Sequence, residues 1–378
     1  MDTPSPTADE LRATFDAPRP MTIGLEEELF LFDPETLDLA PRAAEALAAA
    51  DNDPRFKLEL PAAQLEIALP PLATVPEALD ELRRARRDLA EATAGLAAPA
   101  AIAVHPFAAA EGELNRSPRY DHTARAHGVV ARRQLVCALQ VHVAVAGADR
   151  TLAVYNALRG HLPEVAALAA AAPFHAGRDT GLASIRPIVA GQLPRQGMPP
   201  LIASWEAWAE DLRWGAASGT VPEPRVWWWE LRPHPTFGTL EVRVPDVQPT
   251  AADAGAIAAV IHALIAHLAA RHDAGEPLPA PPTWRLAENR WLACRHGVEG
   301  ELADPESGRR VATRARLHAL LDAIEADADR LGCGEQIVHA RGLVERNGAM
   351  ALRDVARKRG VAGVAKWLVE RFTADGGG

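Results

Sequence analysis

Four short stretches of this chain share one constraint: each is apolar on one side of a two-residue period and ionisable on the other. In "GLEEELFLF", Glu26 and Glu28 share a face, while Leu25, Glu27, Leu29 and Leu31 take the other. In "CALQVHVAV", Gln140 and His142 stand with two alanines, opposite Cys137, Leu139, Val141, Val143 and Val145. In "TLEVRV", Glu241 and Arg243 share a face, away from Leu240, Val242 and Val244. "LELPAAQLEIAL" adds Glu59 and Glu66, each flanked by apolar residues. Taken singly, such a carboxylate is usually the solvated face of an antiparallel strand, and a lone histidine among valines is usually a hydrogen-bonded core residue.

Side by side, these strands gather Glu26, Glu28, Glu59, Glu66, His142 and Glu241 on one sheet face. Like charges a few ångströms apart raise each other's pKa, so five carboxylates stay ionised together only if cations join them. An oxygen-rich set suits Mg²⁺ or Mn²⁺, ions that keep waters and take phosphate oxygens from a nucleotide. Arg243, with Arg186, Arg195 and Arg232, then supplies positive charge for a phosphoryl group in transfer. No GxxxxGK[ST] or GxGxxG occurs, so a nucleotide is held without a P-loop or Rossmann turn.

Strands and helices alternate irregularly, with recurring hairpin-like pairs and no βαβ rhythm or fixed-period repeat. This predicts an α+β fold with an antiparallel sheet and helices against one face. Residues 1–20 read as a loose tail without a signal-peptide pattern, and residues 21–378 as a single domain. "TVPEALDELRRARRDLAEATAGLAA" is a helix with Thr74 as N-cap. "AIAVHPF", "RVWWWELRP" and "TLEVRVPDV" read as strands, and "SWEAWAEDLRWGA" as a helix whose tryptophans suggest a homodimer face. Fifty acids against forty bases give a net charge of −10 over 378 residues, which argues against nucleic acid or an anionic membrane as the main partner. Cys137, Cys294 and Cys333 have no CxxC spacing and read as reduced core thiols, as in a cytoplasmic protein. No uninterrupted apolar run of about eighteen residues suggests a membrane span.

The blocks "TIGLEEELFLFDPET", "LELPAAQLEIALPP", "ALQVHVAV", "SIRPIVAGQLPRQGMPP", "WELRPHPTFGTLEVRVPD" and "ENRWLACRHGVEGELADPESG" resemble, in that order, those of the glutamate–cysteine ligase type 2 family. The nearest branch resembles its carboxylate–amine ligases. The resemblance implies a glutamine-synthetase-like fold: a curved antiparallel sheet, helices on its convex face, and ATP with divalent metal on the concave face. It also implies that a glutamate-like carboxylate attacks the γ-phosphate of ATP, and that a cysteine-like amine then displaces phosphate from the acyl phosphate. Both substrates are small molecules.

Residue by residue, the family's GxExE pattern falls on Gly24, Glu26 and Glu28, its acidic pair on Glu59 and Glu66, and its strand histidine on His142. Its ExR pattern falls on Glu241 and Arg243. The resemblance therefore implies Glu26, Glu28, Glu59, Glu66, His142 and Glu241 as metal ligands and Arg243 as a phosphate contact. Arg232 and Arg186 match family arginines near substrate, and Arg195 lies in the Pro/Gly-rich loop. Departures from the family pattern are Gln140 for a histidine, Ala144 for glycine, Glu230 for aspartate and Ala68 for threonine. Two other readings stay open: a phosphotransferase acting on a guanidino or amine group, and a non-catalytic paralogue. Glu27, on the opposite face, is expected at the strand's frayed start or beside a basic neighbour, with Glu27→Gln mild.

Overall fold

The structure is a computed structural model that describes residues 5–221 and 223–374. Its main sheet contains β1 (Ile23–Phe32), β2 (Phe56–Leu58), β3 (Gln64–Ala68), β4 (Ala98–Ala100), β5 (Leu139–Val143), β8 (Leu231–His234) and β9 (Thr239–Val242), with two-stranded ribbons β6 (Phe174–His175) with β7 (Arg178–Asp179) and β10 (Glu301–Ala303) with β11 (Arg310–Ala312). The helices begin with α1 (Ala8–Asp16), α2 (Ala43–Ala49), α3 (Val75–Ala92), α4 (Pro118–His127), α5 (Val129–Arg132), α6 (Ala148–Leu158) and α7 (Leu162–Leu168). They continue with α8 (Arg186–Ala190), α9 (Trp205–Ala217), α10 (Ala251–Asp273), α11 (Thr283–His296), α12 (Thr313–Arg330), α13 (Gly334–Glu345) and α14 (Gly348–Phe372).

The sheet runs β2-β3-β1-β5-β9-β8, with β4 beside β1, and every pairing is antiparallel. One face carries the apolar set expected from the two-residue period. Leu25, Leu29, Val141, Val143, Leu240 and Val242 are all buried there. α3 and α10 are packed together, with Leu79 of α3 reaching the backbone of Gly255 in α10. α10 is long and apolar enough by composition to cross a membrane, yet 83% of its apolar window is buried inside the protein, as in a core helix.

Residues 1–20 were expected to be a loose tail, but α1 lies within them. Thr7 and Glu10 cap it reciprocally, and Leu11 and Phe15 are buried, Phe15 stacking on Trp205 at 4.7 Å. Gly238, in the turn between β8 and β9, sits tightly against this segment. A Cβ there would lie 2.5 Å from the Thr14 carbonyl oxygen, and its φ of +65° already favours glycine. Residues 1–4 lie outside the described residues.

Other expectations need local correction. "AIAVHPF" is not a strand; the pairing with β1 comes just before it, at Ala98–Ala100. Of "RVWWWELRP" only the last three residues, Leu231, Arg232 and Pro233, join the sheet, in β8. Trp227 and Trp229 turn toward Trp208 instead, with ring centroids 4.6 Å apart for Trp208–Trp227 and 4.5 Å for Trp227–Trp229. Trp205 and Trp208 of α9 are core residues, so of its three tryptophans only Trp214 is exposed. That removes most of the surface on which a homodimer was expected. α2, α4, α11 and α13 were not anticipated.

Candidate active site

Register brings the ionisable residues into rows across the sheet. His142 pairs with Glu241, which pairs with Arg232, while Glu28 pairs with Glu66 and Glu26 with Gln140. Directly opposed residues in antiparallel strands put their side chains on the same face, so the rows converge.

Glu26, His142 and Glu241 form the tightest group: one ligand atom from each lies within 4.8 Å of the others. His142 Nε2 is 3.7 Å from a Glu26 oxygen. On the other side of the ring, Nδ1 is 3.0 Å from the Thr239 hydroxyl, which fixes the imidazole plane. Nε2 is buried and has no hydrogen-bond partner. An imidazole anchored through one nitrogen, with the other aimed at two carboxylates, is the arrangement that holds a metal ion. Two oxygen donors and one nitrogen suit Mg²⁺ or Mn²⁺, so the residues present fit the expected cation.

Glu241 is held by two guanidiniums. Arg232 reaches its oxygens at 2.5 and 3.0 Å, and Arg243 donates to one of them. Burial would raise this carboxyl, but Arg232 and Arg243 outweigh it and keep it far below the usual range. Burial likewise raises Glu26, and the neighbouring His142 brings it back below its ordinary value.

Glu28, Glu59 and Glu66 form a second acidic group that the same convergence does not include. Burial, then Glu28, pushes Glu59 up to about 7. Burial and the charges of Glu59, Glu26 and Glu28 raise Glu66 well above its ordinary value. Glu28 is raised mainly by burial, against the pull of Arg243. It accepts from the Ala138 amide at 2.7 Å and from Gln140 Nε2 at 2.8 Å. The Gln140 oxygen in turn accepts from Arg243. The residue standing where the family has histidine is therefore a bridge between Glu28 and Arg243.

Two cavities meet these groups. One, of about 690 Å³, is lined by Glu28, Glu59, Gln64, Arg119, Arg195 and Arg243, among others. The other, of about 830 Å³, is lined by Glu26, His142, Arg19, Lys57, Phe237 and Thr239, among others. Arg186 borders the first cavity, but its Nε donates to Asp246 at 2.7 Å and its Nη2 to the Val244 carbonyl at 2.6 Å. Arg232 is similarly committed to Glu241 and to the Trp227 carbonyl. Both act as braces, Arg186 for the chain after Arg243 and Arg232 for Glu241. Arg195 donates to the Val226 carbonyl and lies 5.4 Å over the Trp228 ring, on the same cavity as Arg243.

Several wall residues escaped sequence reasoning. Arg119 and Tyr120 come from α4, whose start was readable: Ser117 caps it and Pro118 follows. Phe237, stacked on His234 at 4.2 Å, sits in the "HPTFG" turn, and Arg19 in the supposed tail. Glu230, the longer acid at its position, is buried and paired with Arg290 at 2.8 Å.

A family model described as glutamate-cysteine ligase family 2 matches residues 22–367. A protein of Rubrobacter xylanophilus, provisionally named glutamate–cysteine ligase 2-3, is 38% identical over 372 residues, covering 95% of this chain and 99% of that protein. One of Thermobifida fusca, provisionally named glutamate–cysteine ligase 2, is 34% identical over 375 residues, covering 95% and 93%. Among solved structures, the glutamate–cysteine ligase of Francisella tularensis in complex with AMP superposes with a TM-score of 0.70 at 12% identity, covering 94% of this chain and 89% of that one. At that identity the likeness speaks to the fold alone, an antiparallel sheet packed with helices.

Proposed function

The chain belongs to glutamate–cysteine ligase family 2, and on that premise we propose that it is an ATP-dependent ligase joining a glutamate-like carboxylate to an amine. The observation that carries this reading is the Glu26–His142–Glu241 group, of which Glu26 and His142 line one cavity while Glu28, two residues from Glu26, lines another. Glu26, His142 and Glu241 would hold one divalent cation, and Glu28, Glu59 and Glu66 a second. When bound, these ions neutralise phosphate charge and offset the repulsion within the acidic face.

The cavity beside Glu26 and His142 takes the nucleotide, with Phe237 as an exposed aromatic wall and Arg19 and Lys57 as cations. The cavity beside Glu28 takes the amino-acid reactants. A carboxylate oxygen attacks the γ-phosphorus of ATP, the bond to the β-phosphate oxygen breaks, and ADP leaves. The amine nitrogen then attacks the acyl carbon, inorganic phosphate leaves, and the amine gives up a proton as the amide forms. Arg243, held by Glu241 and Gln140, is positioned to stabilise charge on the transferring phosphoryl group.

The test is ADP release over a panel of carboxylate–amine pairs, with the product detected by mass. ADP should appear only when both partners are present, and Glu26→Gln should abolish it. Purified protein with Mg²⁺ that neither binds nor consumes ATP with any pair would refute the proposal.

A further inference from the structure

Two neighbouring carbonyls carry two arginines of the site. The Val226 carbonyl accepts from Arg195 Nε at 3.1 Å, and the Trp227 carbonyl accepts from Arg232 Nη1 at 2.9 Å. Arg195 stands on the wall of the cavity beside Glu28, and Arg232 clamps both oxygens of Glu241. A guanidinium is a rigid planar fork, so moving the acceptor at one tine re-aims the others. The position of this short segment therefore sets how Arg232 meets Glu241.

The backbone does little to hold it. Val226 ends a 3-10 turn, Pro224–Val226, and β8 begins only at Leu231. The Trp227 amide makes one turn bond, to the Pro224 carbonyl at 3.1 Å, and the residue lies outside the sheet ladder. Its side chain does more. Val226 and Trp228 line the cavity, but Trp227 is turned inward and buried, edge-to-face at 82° with both Trp208 and Trp229. Trp208 is a buried residue of α9, so the rings fasten the segment to a core helix. The indole nitrogens of Trp208 and Trp227 are buried without a hydrogen-bond partner. Unpaired donors destabilise a core, and leucines in the same space would avoid them; what only the rings supply is the edge-to-face geometry. We infer that Trp227 is a positioning residue: clasped by Trp208 and Trp229, it fixes the carbonyl that orients Arg232 on Glu241, and so shapes the cation group. The inference rests on the metal reading of Glu26, His142 and Glu241.

Two measurements on the full chain test it. The first needs no metal. In apoprotein with isotope-labelled arginine, the Arg232 Nε–H resonance is assigned by its loss in Arg232→Lys. Trp227→Ala should speed its exchange with solvent at least about tenfold, as release of a locally closed bond does. Trp227→Phe, which keeps a ring in the clasp, should stay near the wild type. The second is calorimetric titration with Mn²⁺. Trp227→Ala should weaken binding about tenfold, the lower end of the range for groups that support a metal ligand. In an Arg232→Lys background the same substitution should add nothing, because the two act through one contact. A tryptophan that only fills core space would lower the melting temperature in both backgrounds and move neither readout. If Trp227→Ala fails to melt cooperatively, Trp229→Ala removes one ring of the clasp from a half-buried position and should show both changes at smaller size.

Unchanged Nε–H exchange in a folded variant would overturn the inference. So would an additive loss of Mn²⁺ affinity in the Arg232→Lys background, or faster exchange with Mn²⁺ affinity untouched. Each of these leaves the metal reading intact. Conversely, a wild-type protein that binds no Mn²⁺ would discard the metal reading, and the Arg232 exchange would still decide whether Trp227 holds the clamp.

Discussion

Arg86 grips both oxygens of Glu27, Nε to Oε1 at 2.8 Å and Nη2 to Oε2 at 2.6 Å, with both side chains shut off from solvent. The same guanidinium donates to the carbonyls of Gln248, Pro249 and Phe372. It therefore fastens the back of β1 to the chain after β9 and to the end of α14. The expected basic neighbour is present, but the frayed strand start is not.

Breaking this pair should be severe, contrary to the mild effect anticipated for Glu27→Gln. Removing one partner of a buried pair typically costs about 3–5 kcal/mol, because the other charge is left uncompensated. Arg86→Leu should fall in that range by urea denaturation. The double variant Glu27→Leu, Arg86→Leu should recover much of the loss, and additive losses would contradict the assignment.

Thr239 tests the proposed metal group without altering a ligand. It holds Nδ1 of His142, and outer partners of this kind typically contribute about 10–100-fold in metal affinity. Thr239→Val should weaken Mn²⁺ binding by roughly that factor in a calorimetric titration. His142→Leu should weaken it further, and both apoproteins should melt close to the wild-type apoprotein.

Phe15→Ala tests whether α1 belongs to the fold. The side chain is fully buried and stacked on Trp205. Truncating such a phenylalanine costs about 3–5 kcal/mol. A urea midpoint unchanged from wild type would return residues 8–16 to the status of a tail.

His105 should make the protein acid-sensitive. Burial lowers its pKa to about 4, opposed only in part by its bond to the Leu37 carbonyl. The folded protein thus binds this proton less readily than the unfolded chain. Its contribution is fully present above the unfolded value of about 6.5 and is lost as pH falls toward 4, amounting to roughly 3 kcal/mol. Stability measured from pH 7 to pH 4 should decline less steeply in a folded His105→Gln variant than in the wild type.

The strand faces were legible because a period of two is written locally. That is why Glu26, Glu28, Glu66, His142 and Glu241 could be sorted from Leu25, Leu29 and Val141 before any fold was known. α1 and α4 were legible in principle, through Thr7 with Glu10 and through Ser117 with Pro118, but both helices are short. The partners of Glu27 and Arg186 were not legible at all. Arg86 lies 59 residues from Glu27 and Asp246 lies 60 from Arg186, and only the packed fold decides which charge meets which. The same holds for the two cavities, whose walls draw on segments scattered through the first two thirds of the chain.

Glu26 and Glu28 are separated by a single residue, yet one borders the cavity with Phe237 and the other the cavity with Arg119. Under the proposed assignment of nucleotide and amino acid to these cavities, the two reactants have separate doorways and a shared threshold. Neither has to leave for the other to enter, so saturation with nucleotide should not competitively exclude the amino acid. Initial-rate patterns in which each reactant alters the other's apparent KM without competing for its site follow from that placement.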